Sequence, residues 1–392
     1  MRAHFRRWCL LFIFVVAGLQ ASAQTNGIFA DFTTSLGTFT CQLSYSNAPK
    51  AVANFIGLAT GQRPWLDTAT GEVRTNAFYD GLTFHRVISN FVIQAGSPNG
   101  LGTDGPGYAV VDEFNSLLNF NAPWILAMAN SGPNSNGSQF FVTVAPFTSG
   151  NNVYTVFGLV VSGTNIVAAI NHVKTDSRDK PLTNVFIQHV TIRRVGTAAS
   201  AFNIDAQGLP VVTNLPVQLT STTPTHVSLV FSNRVFSDSR WYSSTNLQAW
   251  TENQVGIDLV APATNTVQVP IKAPDKFFRM AQVQYQSSTR APKTLAGRTL
   301  VMVFSTGQTN TIVFNNTGGG TYNFPGTGNG SVTSYTWLQE PYRGRLWPIN
   351  YSALVEMTLL LNFSSNTNGA FTGTAYSTIP FSVSGTFKLT GP

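Results

Sequence analysis

Between Phe84 and Phe141 lie one guanidinium (Arg86), the carboxamides of Gln94 and Gln139 and several aromatic rings, carried on short apolar runs bounded by Gly, Pro, Asn or Ser. Such runs read as strands between turns. Alternation then sorts their side chains. Phe84, Arg86 and Ile88 are expected on one face of the first strand, and Val92 and Gln94 on one face of the next. Gln139, Phe141 and Thr143 are expected on one face of the last, opposite Phe140, Val142 and Val144. A fixed cation, amide donors and acceptors, and rings on one surface suit the grip of an extended peptide. They do not suit bond cleavage, which needs a nucleophile with its base. The chain has no G-x-S-x-G and no Walker sequence. Its five histidines, His4, His85, His172, His189 and His226, show no metal-ligand spacing, so no metal is expected. Gly100-Leu-Gly102-Thr-Asp-Gly105 matches a dinucleotide fingerprint, but Pro106-Gly107 follows where a helix should open. It reads as a surface loop beside the groove. Asp112-Glu113 reads as a structural pair rather than an acid–base dyad.

Several segments resemble, in order and spacing, the cyclophilin family of peptidyl-prolyl cis-trans isomerases. They are Phe84-His-Arg-Val-Ile88, Phe91-Val-Ile-Gln-Ala-Gly96, Asp112-Glu-Phe-Asn115, Met128-Ala-Asn-Ser-Gly-Pro-Asn134, Asn136-Gly-Ser-Gln-Phe-Phe141 and Tyr154-Thr-Val-Phe-Gly158. The resemblance covers residues 27–196. It implies a closed eight-stranded antiparallel barrel with a helix over each end, no cofactor, and proline-containing unfolded or flexible polypeptides as partners. It also implies site roles: Arg86 catalytic, with Phe91, Val92 and Phe141 forming the proline pocket. Gln94 would bond the substrate backbone and orient Arg86. Ala129 and Asn130 would hold the preceding residues extended, and Gln139 would line the groove. His85 would be structural. Three departures touch the pocket. Val92 stands where Met is usual and Tyr154 where His is usual, and the usual Trp is absent from 146–152, where Phe147 is the one aromatic. Proline binding survives these changes; tight binding of cyclosporin is not expected.

The implied reaction needs only such groups. Rotating an X–Pro bond costs its amide resonance, a barrier of roughly 18–20 kcal/mol. No covalent bond changes, so the protein must favour the twisted amide over both planar forms. As conjugation fails, the prolyl nitrogen regains a lone pair, and a permanently charged arginine can donate to it.

At 392 residues the chain has room for two or three domains, and only 10% of it is charged. Of the net charge of +7, residues 1–23 carry +3, residues 24–196 sum to zero and residues 197–392 carry +4. Without a basic cluster a nucleic-acid partner is not expected. Arg2, Arg6 and Arg7, the apolar run Trp8–Leu19 and Ala21-Ser22-Ala23 read as a signal peptide over 1–23, implying export to the periplasm or the outside. Cys9 leaves with it, so Cys41 stays unpaired. No further membrane span is expected.

The elements that must position the site follow. Residues 28–45 read as a hairpin turning at Ser35–Gly37. A helix is predicted over Pro49–Thr60, capped by Asn47 and ended by Gly61, and a second over Asn165–His172, capped by Thr164. The polar stretch Gln62–Asn76 reads as an insertion with no assignable role. A linker is expected at Gly196–Asn203 and another at Gln286–Lys293. Residues 203–287 read as a small β-sandwich. Residues 294–392 read as an antiparallel meander or small barrel, whose Trp337, Tyr342, Trp347 and Tyr351 are better placed as core than as a binding face. Two alternatives remain open: a non-catalytic module that grips proline segments, and an adhesion or carbohydrate-binding protein working through the appended β domains.

Overall fold

The computed structural model describes residues 26–391 except 224–225, 235–236, 255–262, 271–276, 286–290, 293, 326–327, 341–342, 352–355, 364, 366 and 377–380. The expected signal peptide and most of the second expected linker therefore lie outside the described residues.

The first hairpin forms as its alternation predicts, with β1 (Gly27–Thr34) and β2 (Gly37–Leu43). The helix α1 (Pro49–Thr60) ends on Gly61, whose φ of 69° is left-handed. Its start corrects the expected cap. Ala48, not Asn47, is the cap residue. The carboxylate of Glu113 instead accepts from the backbone N–H groups of Lys50 and Ala51 at 3.1 and 2.8 Å. A remote acid thus does the work of a local side chain at a helix end that favours negative charge. Burial raises the Glu113 pKa despite these bonds. Asp112 accepts from the Asn134 N–H at 2.7 Å and the Asn136 amide at 2.8 Å, so the acid pair is structural as expected.

Two short strands, β3 (Trp65–Asp67) and β4 (Glu72–Arg74), make a hairpin of the insertion. After them come β5 (Arg86–Ile88), β6 (Val92–Ala95), β7 (Ile125–Met128), β8 (Phe140–Thr143) and β9 (Val156–Ser162). Helix α2 (Thr164–Asn171) follows, and its cap residue is Gly163 at φ 75°, not Thr164. Strand β10 (Ile187–Val195) completes the unit. All of these strands but β3 and β4 form one antiparallel sheet in the order β10-β1-β2-β9-β7-β8-β6-β5. Its two edges meet where Thr83 bridges Phe186 and the Phe84 N–H donates to Val185 O at 3.0 Å. Phe32, Phe39, Phe55, Ile93, Phe140, Val142 and Phe157 fill the interior.

The linker expected at Gly196 is a short helix, α3 (Thr197–Ala201). Two sheets then face each other. One has the order β11-β17-β14-β15, from β11 (Val211–Asn214), β14 (Ser237–Ser244), β15 (Thr251–Gln254) and β17 (Phe277–Gln284). The other is β12-β13-β16, from β12 (Gln218–Thr222), β13 (His226–Asn233) and β16 (Ala263–Pro270). The first sheet buries both faces. Trp241 and Met280 point at the second sheet with Leu229 and Phe231. On the opposite face Val212, Ala281, Val283 and Tyr285 join the core that contains Trp65 and Leu66 of the insertion. Residues 299–390 form a closed barrel of eight antiparallel strands. Its interior is filled by Leu300, Ile312, Phe314, Leu359, Leu361 and Phe371, and Tyr351 belongs to that core with Trp337 against it. Tyr342 and the Trp347 side chain lie outside the described residues. No described helix is long and apolar enough to cross a membrane.

Candidate active site

The strands that fill the barrel with one face build a groove with the other. Ile93, Ala95, Leu126, Met128, Phe140 and Val142 point inward. Their neighbours Val92, Ala127 and Phe141 belong to a separate apolar cluster with Phe120 and Val156. Register brings the polar groups together: Arg86 pairs with Gln94 across β5 and β6, and Gln94 pairs with Phe141 across β6 and β8. The turn between β5 and β6 is fixed from α2. Asn171, fully buried, accepts from the Asn90 N–H at 2.7 Å and donates to Ile88 O at 2.8 Å. Asn90 itself is left-handed at φ 59°.

One cavity of about 430 Å³ takes in Arg86, Phe91, Val92, Gln94, Ala129, Asn130, Phe141, Phe147 and Tyr154. The expected site residues are thereby brought together, with Gln139 on the adjoining cavity. Phe91 meets Phe147 edge-on at 4.9 Å, and Tyr154 meets Phe141 edge-on at 5.3 Å. These rings form an apolar hollow, and Arg86 and Arg178 also line the cavity.

The polar side of the hollow is a chain of oriented groups. Arg86 Nη1 donates to Gln94 Oε1 at 3.3 Å, and Gln94 Nε2 donates to Gln139 Oε1 at 3.1 Å. Gln139 Nε2 donates to the carbonyls of Gly102 and Asp104 at 3.0 and 2.9 Å. From the other side the Asp179 carboxylate lies 3.6 Å from Arg86 Nε. Each amide can satisfy both neighbours in only one orientation, so the guanidinium is held without being buried. The fingerprint-like Gly100–Gly105 stretch is the loop that closes this chain, not a nucleotide site. Asn130 is tied back, its amide donating to Val153 O at 2.8 Å.

Phe84 departs from its expected face. The strand begins only at Arg86, so alternation does not reach back to Phe84, which is buried in the barrel interior. His85 is 7% exposed and neither ring nitrogen has a hydrogen-bond partner among the described residues. Burial, with a smaller push from Arg86 and against the opposing pull of Asp104, lowers its pKa from 6.5 to about 4, so the ring is neutral at neutral pH.

Sequence reasoning missed Phe120, Asp179 and Arg178. Phe120 is fully buried, stacked 5.9 Å from Phe141 beneath the hollow. It comes from an irregular stretch where no periodicity marks it. Asp179 and Arg178 come from the loop before β10, distant in sequence from Arg86. No group of His, Cys, Asp and Glu suited to a metal occurs among the described residues.

Residues 29–192 match the family model of the cyclophilin type peptidyl-prolyl cis-trans isomerase. Peptidyl-prolyl cis-trans isomerase B of Streptomyces anulatus is 48% identical over 168 residues, which cover 42% of this chain and 96% of that protein. Peptidyl-prolyl cis-trans isomerase A of Mycobacterium tuberculosis is 44% identical over 174 residues, covering 43% of this chain and 96% of that protein. Among solved structures, a cyclophilin type isomerase of Cryptosporidium parvum, determined in the presence of the dipeptide Ala-Pro, matches with a TM-score of 0.37 and 28% identity. It covers 43% of this chain and 99% of that chain.

Proposed function

The chain belongs to the cyclophilin-type peptidyl-prolyl cis-trans isomerase family, and on that premise we propose that it isomerises X–Pro bonds of exported polypeptides and so assists their folding. The observation that carries the reading is the fixed Arg86 fork at the rim of the hollow lined by Phe91 and Phe141. The hollow seats a proline ring, and the flanking peptide lies against Gln94, Ala129 and Asn130. Nε faces Asp179 and Nη1 is committed to Gln94, which leaves Nη2 to donate to the prolyl nitrogen as it pyramidalises. That donor meets no lone pair in either planar amide, so it favours the twisted form selectively. His85, neutral at neutral pH, takes no part in proton transfer, and the reaction requires none.

Export rests on the sequence of residues 1–23, whose arginines, apolar run and small-residue motif have the form of a cleaved leader. The purely binding reading explains the hollow but not the arginine held by acceptors on two sides. The adhesion reading draws no support from Trp337 and Tyr351, which serve the barrel core.

The test is proline-tetrapeptide isomerisation by the full chain and by Arg86→Ala. Loss of one oriented donor should cost roughly 10²-fold in kcat/KM. Arg86 is half-exposed, so the thermal transition should not move. Equal rates for the two proteins would overturn the role given to Arg86.

A further inference from the structure

A second cavity, of about 680 Å³, continues the groove, and the two share Gln94, Gly102, Ala129 and Asn130. Most of its wall comes from the isomerase loops. Arg240 of β14 and Tyr285, which follows β17, come from the appended sandwich.

That part of the wall is held in place. Arg63, 7% exposed, donates to Pro210 O at 2.5 Å and to Asp205 at 3.3 Å, fastening the connection to the isomerase unit. Arg279 donates to Thr70 O at 2.9 Å on the insertion hairpin. The inner face of the sheet shares its apolar core with Leu66. Arg240 is also fixed from behind. Its Nε donates to Asp238 at 2.9 Å and lies 3.8 Å from Glu252, and its side chain is only 20% exposed. Asp238, Arg240 and Tyr242 alternate onto the face that meets the isomerase unit.

We propose that the sandwich is a specificity element of the isomerase. Arg240 and Tyr285 form the outer wall of a subsite for a residue beside the proline, and select one whose side chain accepts hydrogen bonds. The inference rests on the isomerase reading and adds the class of substrate. A guanidinium is a donor only, so an acceptor in the cavity gains a bond that an aliphatic side chain leaves unmade. Asp238 and Glu252 offset the charge of Arg240, so an amide should serve about as well as a carboxylate. The groove accordingly reads more of the chain than the proline ring.

The test uses the full chain and hexapeptides with one proline. Ala, Gln, Glu or Leu is placed in turn at each position within two residues of that proline, and kcat/KM is measured relative to the Ala peptide in each protein. At one position Gln and Glu should exceed Leu by about three- to tenfold, the worth of one hydrogen bond. In Tyr285→Phe the preference should shrink. In Asp238→Asn with Arg240→Gln, a neutral pair that leaves no buried charge unpartnered, it should fall to about one. Thermal unfolding of each variant reports whether the sandwich stays folded. If all peptides turn over but no position discriminates, or both variants keep the preference, the wall assignment is overturned while the isomerase stands. If the wild-type chain turns over no peptide at all, the underlying reading fails instead.

Discussion

A single methyl group at Gly71 tests whether the sandwich is seated on the isomerase unit in solution. Gly71 ends the turn between β3 and β4, its N–H donating to Asp67 O at 2.7 Å, and its φ is +70°. A Cβ built there overlaps the ring of Tyr242, which is fully buried. Gly71→Ala therefore incurs two costs: roughly 1–2 kcal/mol for a left-handed L-residue and roughly 1–3 kcal/mol for overpacking. Gly81→Ala separates them. Gly81 has φ +81° and nothing within 4 Å of a built Cβ, so it incurs only the first. The assay is thermal unfolding of wild type, both variants, Tyr242→Ala and Gly71→Ala/Tyr242→Ala, with limited proteolysis of the 196–217 connection alongside. Gly71→Ala should destabilise by roughly 1–3 kcal/mol more than Gly81→Ala and admit protease to the connection. Removing the Tyr242 ring should cancel that excess, giving a coupling of like size. Equal effects of the two alanines, with no coupling to Tyr242, would mean that the seating is not made in solution. The specificity role of Arg240 would then lose its geometry.

Three further outcomes follow from the same structure. The folded-state pKa of His85 lies near 4 and its unfolded value near 6.5, so stability is full above about pH 6.5 and drains away as pH falls toward 4. Urea unfolding should show about 2 kcal/mol lost between pH 7 and 5, and His85→Gln should lack that slope. Asp179→Asn keeps a residue type that tolerates the φ of 61° there but removes the charge facing Arg86. A half-exposed ion pair is worth about 0.2–1 kcal/mol, so kcat should fall no more than about fivefold with KM little changed; a hundredfold loss would make Asp179 far more than a positioning residue. Cys41 is fully buried and its pKa is raised by burial, so a thiol reagent at pH 8 should label the chain only after denaturant is added.

The site was legible because its residues sit on strands in register, where type and spacing determine the face. Arg86, Gln94 and Phe141 meet through successive pairings, and alternation alone places Phe140 and Val142 on the far side. Legibility ended where regular structure did. Phe84 lies two residues before β5 and turns the other way. Sequence rules look for a capping side chain beside the helix, whereas the first N–H groups of α1 are met by Glu113 from about sixty residues on. Phe120 and Asp179 reach the site from loops, whose paths depend on what they pack against. The insertion at 62–76 was opaque for a related reason. Its Trp65 and Leu66 are apolar, but only the packed sandwich reveals what they cover.

The apolar cores divide the chain differently from its linkers. The composition change near Gly196 suggests a boundary there, and residues 197–201 do leave the sheet. Yet Ala199, Ile204, Leu209, Val212, Ala281 and Val283 all pack into the core that contains Phe55 and Phe140. Among the described residues the core of the C-terminal barrel shares none with it and begins at Ala291. Cooperativity follows buried contacts rather than composition. The isomerase unit and the inner sandwich sheet should then act as one cooperative body, and the C-terminal barrel as another. This division favours a working role for the sandwich over that of a passive spacer. A spacer needs no shared core and no arginine at the groove, whereas a wall that selects substrate must be as rigid as the site it adjoins.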